Sequence, residues 1–177
     1  MIIELPDWAD KTTTAKIREA VAPYKRGFEL YGTYRDGETV NISRTPDLAE
    51  IDQLLHDVFT TAQRDVLTRR YKPPFPSADS GYEYHCYNPG DVCHLHGDGE
   101  TCNGFLRYAS VVLHLNTVSE GGELVFPAQN KSVKTEEGKV VIFPPYGMFG
   151  HYTTPSPEPR EVIVTWFVYN NVRVQVD

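Results

Sequence analysis

The sequence has no long apolar run and fewer basic than acidic residues, and both shortages exclude classes of partner. No apolar stretch approaches the roughly 20 residues that a membrane-spanning helix needs. The first residues lack the basic flank and apolar core of a secretory signal, so we expect a cytoplasmic protein. A formal net charge of −7 repels phosphate groups. We therefore expect neither a membrane nor a nucleic acid as partner.

Cysteine is also scarce. Cys86, Cys93 and Cys102 form neither an even set nor a CxxC pair. This pattern argues against a disulfide framework and against a structural zinc site. Free thiols are typical of a reducing compartment. The length of 177 residues suits one domain, and we expect a monomer.

Helical patterns are confined to the first part of the chain. A helix is predicted from Thr13 to Ala22, and a hairpin turns at Asp36-Gly37. A second helix is predicted to begin at Thr45-Pro46, with apolar residues at helical spacing as far as Val66. A proline-rich segment that follows is predicted to be an irregular loop as far as Ser80.

Strand patterns take over from residue 81. Short alternating segments separated by turn residues predict strands at Tyr82–Tyr87, Cys93–Asp98, Phe105–Asn116, Glu123–Phe126, Ser132–Thr135, Val140–Phe143 and Glu161–Asn170. We expect an α+β fold, a double-stranded β-helix or jelly-roll barrel with the N-terminal helices packed on its outside. A single domain should cover residues 1–177, with helical support and a hairpin in 1–80 and the barrel in 81–177.

Two histidines and one aspartate form the candidate metal site. On a strand, residues two apart face the same way, so His96 and Asp98 should converge. His151 would come from another strand roughly opposite. Two imidazoles and one carboxylate on one face leave three positions open on a metal. This is the facial triad of non-heme Fe(II) oxygenases.

The motifs around this triad resemble those of the prolyl 4-hydroxylases. Five blocks occur in the order of that family: Tyr87-Asn88-Pro89-Gly90 leading into His96-Gly97-Asp98, Arg107-Tyr108-Ala109-Ser110, Gly121-Gly122-Glu123-Leu124-Val125-Phe126-Pro127, Gly138-Lys139-Val140-Val141-Ile142-Phe143, and His151 with Arg160 nine residues later. Ordered agreement of several blocks is far more specific than any single motif. The resemblance covers about half of the chain, from Tyr82 to Asn170.

The resemblance implies an Fe(II)- and 2-oxoglutarate-dependent dioxygenase that uses O2, with ascorbate as a reductant. His96, Asp98 and His151 would be the catalytic metal ligands. Arg160 would bind the far carboxylate of 2-oxoglutarate, since a guanidinium grips a carboxylate bidentately. Tyr87 would contact the cosubstrate or the substrate. His114 stands where the family usually has a tyrosine that helps to hold 2-oxoglutarate.

The resemblance also implies a substrate. Arg107 and Trp166 match family positions near the bound substrate proline, and Tyr87 would line the same pocket. The expected reaction is hydroxylation of a prolyl residue in a peptide or protein, with decarboxylation of 2-oxoglutarate to succinate. Arg107 and His114 have opposite parity on one predicted strand, so both can face the site only if a bulge intervenes or they sit at different heights.

Two alternatives remain open. The pattern His94-x-His96-x3-Glu100 with a later His151 resembles a cupin site, in which these four residues bind the metal and Asp98 does not. A cupin gives no reason for Arg160 at its offset. The second alternative is a non-catalytic jelly roll that only binds a peptide.

Overall fold

The helices lie in the N-terminal part of the chain. The computed structural model describes residues 1–27, 35–68, 77–102 and 104–173. Helix α1 (Lys11–Val21) begins after Asp10, whose carboxylate accepts a hydrogen bond from the Thr13 amide. Helix α2 (Ala49–Ala62) continues into a π-helical segment, Gln63–Thr68. Among the described residues, no helix is long and apolar enough to cross a bilayer.

The described residues also contain twelve strands, most of them short. They are β1 (Ile3–Leu5), β2 (Arg26–Gly27), β3 (Glu38–Asn41), β4 (Ser77–Asp79), β5 (Glu83–Tyr87), β6 (Thr101–Cys102), β7 (Phe105–His114), β8 (Leu124–Phe126), β9 (Lys131–Val133), β10 (Val140–Phe143), β11 (Tyr152–Thr153) and β12 (Arg160–Arg173).

The strands form two antiparallel sheets. The large sheet has the order β1-β10-β7-β12-β5-β3-β2, with β4 also pairing with β12 and β6 with β7. The small sheet has the order β11-β8-β9. Such a pair of sheets is the jelly-roll architecture, so the predicted α+β fold is confirmed.

Alternation along β12 separates two apolar cores. Ile163 and Phe167 face the first core, which they share with Ile17 of α1 and Leu55 of α2. Val162 faces the second core, which contains residues of both sheets and is fully separate from the helices. Because successive strand residues point to opposite faces, the helices pack on the outside of the barrel, as predicted.

A bulge in β7 brings the two ends of that strand to the same face. Ala109 pairs with Phe167, but Arg107 pairs with Val168, so Tyr108 is an extra residue in the ladder. Beyond the bulge the alternation is reversed. Arg107 therefore lies on the inner face together with His114, although their numbers differ in parity.

The structure corrects several predicted elements. Cys93–Asp98 is not a strand, because only Cys93 and His96 form isolated bridges, with Arg35 and His151. Ser77–Asp79, predicted as part of a loop, is strand β4, which pairs with the long strand β12. These segments follow tertiary pairing rather than local pattern.

Helix boundaries and the hairpin also differ in detail. Helix α2 begins at Ala49 because the residues Pro46–Leu48 form a 3-10 turn, and Thr45 makes no side-chain cap. The first arm of the predicted hairpin falls mostly in residues 28–34, which lie outside the described residues. Its second arm is β3, which pairs with both β2 and β5.

Glu161 ties helix α1 to the outer face of the large sheet. Its side chain is 8% exposed, and its carboxylate lies 2.8 Å from the Arg18 guanidinium. The Tyr84 hydroxyl also donates to it. Burial by itself raises the pKa of Glu161, but the hydrogen bonds from Arg18 and Tyr84 bring the pKa below its usual 4.5.

We expect Glu161→Gln to lower the free energy of unfolding by about 1–3 kcal/mol near neutral pH. A depressed folded-state pKa stabilises the fold above pH 4.5, and this contribution is lost as the pH falls through the folded pKa. The variant should therefore lose less stability than the wild type on acidification. Urea unfolding near pH 7 and below pH 4 measures both effects, with the exposed Glu120→Gln as the matched control. Equal stability of both variants would contradict the prediction.

Candidate active site

His96, Asp98 and His151 meet at the inner face of the barrel. Their ligand atoms all lie within 4.8 Å of one another. The Asp98 Oδ1 is 3.6 Å from His96 Nε2 and 3.9 Å from His151 Nε2. Among the described residues, no other group of three histidine, cysteine or acidic side chains is placed to hold a metal ion. The donor set of two imidazoles and one carboxylate suits Fe(II) with open positions.

Backbone hydrogen bonds fix the two histidines opposite each other. The His96 amide donates to the His151 carbonyl at 3.0 Å, and the His151 amide donates to the His96 carbonyl at 2.8 Å. Each imidazole also has its Nδ1 near the carbonyl two residues earlier, at 2.9 Å from His94 O and 3.1 Å from Phe149 O. With Nδ1 directed at a carbonyl, each histidine turns its Nε2 toward the position of a metal.

The three side chains differ strongly in charge. Burial alone lowers the pKa of His96, but its hydrogen bonds to Asp98 and Cys93 raise it to about 10. Burial lowers the pKa of His151, although Asp98 opposes this shift. The pKa of Asp98 falls far below its usual range, because the bond to His96 and the charge on His151 outweigh the effect of burial. A cation bound here would displace the proton on His96.

A narrow chamber extends from the three ligands to Arg160. Its walls include Tyr87, Val162 and Arg160. The chamber volume is about 40 Å³, so a dicarboxylate would enter only if wall side chains move. The chamber therefore has a possible metal position at one end and a cation at the other.

Arg160 is a buried cation. Its side chain is 3% exposed, and burial lowers its pKa. Its Nε donates to the Thr135 hydroxyl at 3.1 Å, and its guanidinium lies over the Tyr87 ring at 5.3 Å. Among the described residues, no carboxylate forms an ion pair with it. A buried cation without a counter-ion is costly, so this position favours a bound anion.

Gly122 lies beside the stem of Arg160. A Cβ here would be at ordinary contact distance, 3.5 Å from the Arg160 Cδ, and the position favours glycine because its φ is +67°, in the left-handed region. Thr135 holds the arginine from the same side, because its hydroxyl also donates to the Gly122 carbonyl at 2.7 Å. The Gly121-Gly122 turn thus positions Arg160 as well as reversing the chain.

His114 lies on the inner face near Arg160 but does not line the chamber. It is fully buried, and burial and the charge of Arg160 lower its pKa well below the usual value. Neither ring nitrogen has a hydrogen-bond partner among the described residues. A neutral imidazole keeps one N–H donor, so His114 has a donor available for a ligand held by Arg160.

Arg107 and Trp166 lie on the other side of the metal position, at the wall of an open cleft. The Arg107 guanidinium stacks over the Trp166 ring at 4.2 Å and also donates to the Asp98 carbonyl. Within the described part of the chain, Arg107 Nε and Trp166 Nε1 have no hydrogen-bond partner. Both nitrogens are buried, so a substrate carbonyl could reach them only if neighbouring side chains move.

Sequence reasoning missed Arg35 and His85. Arg35 Nη1 lies 3.3–3.4 Å from both ring nitrogens of His85, and both side chains line the chamber. The alternation that turns Tyr87 inward also turns His85 and Glu83 inward, so the strand pattern contained a signal for His85. Nothing local indicates Arg35, which is 50 residues away from His85.

The geometry disfavours the cupin alternative. His94 and Glu100 are both exposed. Neither belongs to the group of ligand atoms that meets at the inner face, whereas Asp98 does. The four residues of the cupin pattern therefore do not come together around one metal position.

The sequence matches the family model of the 2OG-Fe(II) oxygenase superfamily over residues 82–168. This range runs from the start of β5 into β12 and contains the three candidate ligands together with Arg160. No curated protein sequence matches the chain.

Solved structures with a similar fold include several prolyl hydroxylases. The viral collagen prolyl hydroxylase of Paramecium bursaria Chlorella virus-1, in complex with 2-oxoglutarate, has a TM-score of 0.75 and 17% identity over 94% of this chain and 95% of its own. A Pseudomonas putida prolyl-4-hydroxylase has a TM-score of 0.69 and 18% identity, covering 96% and 93%. A Trichoplax adhaerens prolyl hydroxylase, in complex with a hypoxia inducible factor peptide fragment, has a TM-score of 0.76 and 13% identity, covering 95% and 83%.

The family match agrees with the order of the motifs, with the jelly-roll fold and with the donor set at the inner face. A match to an oxygenase family supports an enzyme rather than a non-catalytic peptide-binding module. The chain belongs to the 2OG-Fe(II) oxygenase superfamily.

Proposed function

We propose that this oxygenase hydroxylates a prolyl residue in a peptide or protein substrate. The observation that carries the proposal is the stacked pair of Arg107 and Trp166 on the cleft wall beside Asp98. An aromatic ring next to a guanidinium suits a pyrrolidine and the carbonyl groups around it. Similar solved structures that are described as prolyl hydroxylases support the same substrate.

His96, Asp98 and His151 would hold Fe(II), and Arg160 would bind the far carboxylate of 2-oxoglutarate. When bound, this pair supplies the oxidising chemistry, using O2 to hydroxylate a C–H bond while 2-oxoglutarate becomes succinate. The unpaired charge of Arg160 and the free donor of His114 both call for an acceptor, and a carboxylate supplies one for each. In this proposal His114 takes the place of the family's usual tyrosine. Ascorbate as a reductant stays a prediction.

Other side chains of the site would position the metal ligands and the substrate. Phe126 and Phe143 pack against the His151 ring at centroid distances of 5.5 and 4.8 Å and so hold its plane. Tyr87 is buried, and its ring lies against the Arg160 guanidinium. Arg107 bridges the metal loop and the cleft wall, so a substrate that touches Arg107 also lies next to Asp98. That residues 1–177 form one domain stays a prediction.

The test is hydroxylation of a peptide panel. The enzyme should convert proline-containing peptides to products heavier by one oxygen atom and release succinate in equal amount, as measured by mass spectrometry. The same peptides with alanine in place of proline are the matched control. If the enzyme hydroxylated free amino acids or the alanine peptides but not the proline peptides, the proposal would be overturned. The same hydroxylation would then act on a different substrate.

A further inference from the structure

The cleft next to the metal position is unusually rich in arginine. Its volume is about 470 Å³, and it adjoins His96 and Asp98. Three guanidinium groups and two carboxylates are among its lining side chains, namely those of Arg35, Arg44, Arg107, Glu83 and Asp98. One of the two carboxylates belongs to a candidate metal ligand. Apart from Asp98, the lining therefore has three positive guanidinium groups and one negative carboxylate, so the cleft is positive toward a substrate.

Glu83 offsets part of this charge at the inner end of the cleft. The His85 Nε2 lies 3.2 Å from the Glu83 carboxylate. The bond to His85 and the charges of Arg35 and Arg107 lower the pKa of Glu83, so the carboxylate is ionised. Glu83 thus offsets the charges of Arg35, which also lines the chamber, and Arg107, which stacks on Trp166.

Arg44 adds a positive charge to the outer part of the cleft. It is exposed at the end of the 3-10 turn Ile42–Arg44, whose backbone is tied to the Asn41 side chain at 3.1 Å. Among the described residues, no carboxylate pairs with its guanidinium, whereas Arg18 and Arg64 each have an acidic partner. Because the Arg44 backbone is held in place and its guanidinium lies at a cleft, this guanidinium is suited to bind an anionic group of a ligand.

The whole chain has the opposite sign. Its net charge of −7 repels acidic molecules in general, so a positive cleft concentrates them at this one location. The net charge of the chain would repel a polyanion such as a nucleic acid far more strongly than one acidic side chain on a short peptide. The charge distribution therefore favours an acidic peptide.

We propose that the substrate has an acidic residue close to the target proline, and that Arg44 contacts this residue. The inference rests on the proposed function and specifies which proline-containing sequences the cleft selects. Attraction between opposite charges speeds encounter and excludes basic competitors, and it weakens as salt screens it.

The test uses three peptides with one proline core and glutamate, glutamine or lysine at the flanking positions. Binding is measured by fluorescence anisotropy on the anaerobic enzyme loaded with Fe(II) and 2-oxoglutarate, so that no turnover occurs. We expect the glutamate peptide to bind roughly tenfold more tightly than the lysine peptide at low salt. Arg44→Gln should reduce this ratio by about two- to fivefold, as expected for an exposed pair. Arg44→Glu should reduce it further.

Arg64→Gln is the matched control, because Arg64 is an exposed arginine that does not line the cleft. It should keep the wild-type ratio. Equal binding of the three peptides, tightest binding of the lysine peptide, or no binding of any of them overturns the inference. Charge-ordered binding without hydroxylation after O2 is admitted would overturn the proposed prolyl hydroxylation alone. Hydroxylation at equal rates with equal binding would overturn the charge preference alone.

Discussion

Asp98→Asn should abolish turnover and weaken the binding of a divalent metal by at least about 100-fold. The carboxylate is the single negative charge between two imidazoles, with its Oδ1 within 4 Å of both Nε2 atoms. An amide keeps the shape but loses this charge, so a cation is held by two neutral ligands. Titration with Co(II), followed by its visible spectrum, measures the affinity, and circular dichroism checks that the fold is intact.

Glu100→Gln and His94→Ala are the matched controls, since both residues are exposed on the same loop. They should bind Co(II) like the wild type. A cupin site would reverse this pattern, with the controls losing the metal and Asp98→Asn retaining it. That outcome would remove Asp98 from the proposed ligand set.

Arg160→Gln should raise the concentration of 2-oxoglutarate needed for half-maximal turnover by at least about 30-fold, because removing one partner of a buried charge pair costs roughly 2–5 kcal/mol. The same change removes a buried charge that no described carboxylate balances, so the protein without cosubstrate should be as stable as the wild type or more so. Thermal unfolding with and without 2-oxoglutarate separates the two effects. The wild type should be stabilised by the cosubstrate, and the variant should not.

Two neighbours of Arg160 give graded comparisons. Thr135→Val removes the hydroxyl that receives the Arg160 Nε hydrogen bond, and His114→Phe removes the unpartnered donor near the same guanidinium. Each should raise the requirement for 2-oxoglutarate by about 3- to 15-fold, in line with one lost hydrogen bond. An unchanged requirement in Arg160→Gln would show that the cosubstrate is bound elsewhere.

Much of the site could be predicted because strand alternation is a strict geometric rule. The same rule puts Arg160, Val162, Val164 and Trp166 on one face of β12, and all four line the chamber. The apolar residues at helical spacing in the second helix likewise agree with its packing on the outside of the barrel. Both patterns report which side of an element is buried, and burial is what the sequence encodes most directly.

Other parts could not be predicted because they depend on pairing between distant segments. The alternation of His94, Leu95 and His96 looks like a strand, yet only His96 forms a bridge, to His151. Arg35 comes next to His85 only because β3 pairs with β5. Thr135 likewise meets Arg160 across 25 residues. No local pattern contains this information.

The extra residue at Tyr108 has a consequence for what a single strand can position. It shifts the phase of β7 at one end only, so the half of the strand that ends at His114 keeps its register with β12. The half that carries Arg107 is turned so that this side chain reaches the Asp98 carbonyl. One inserted residue thus lets a single strand place Arg107 beside Asp98 and His114 near Arg160 without changing the pairing of its deep half.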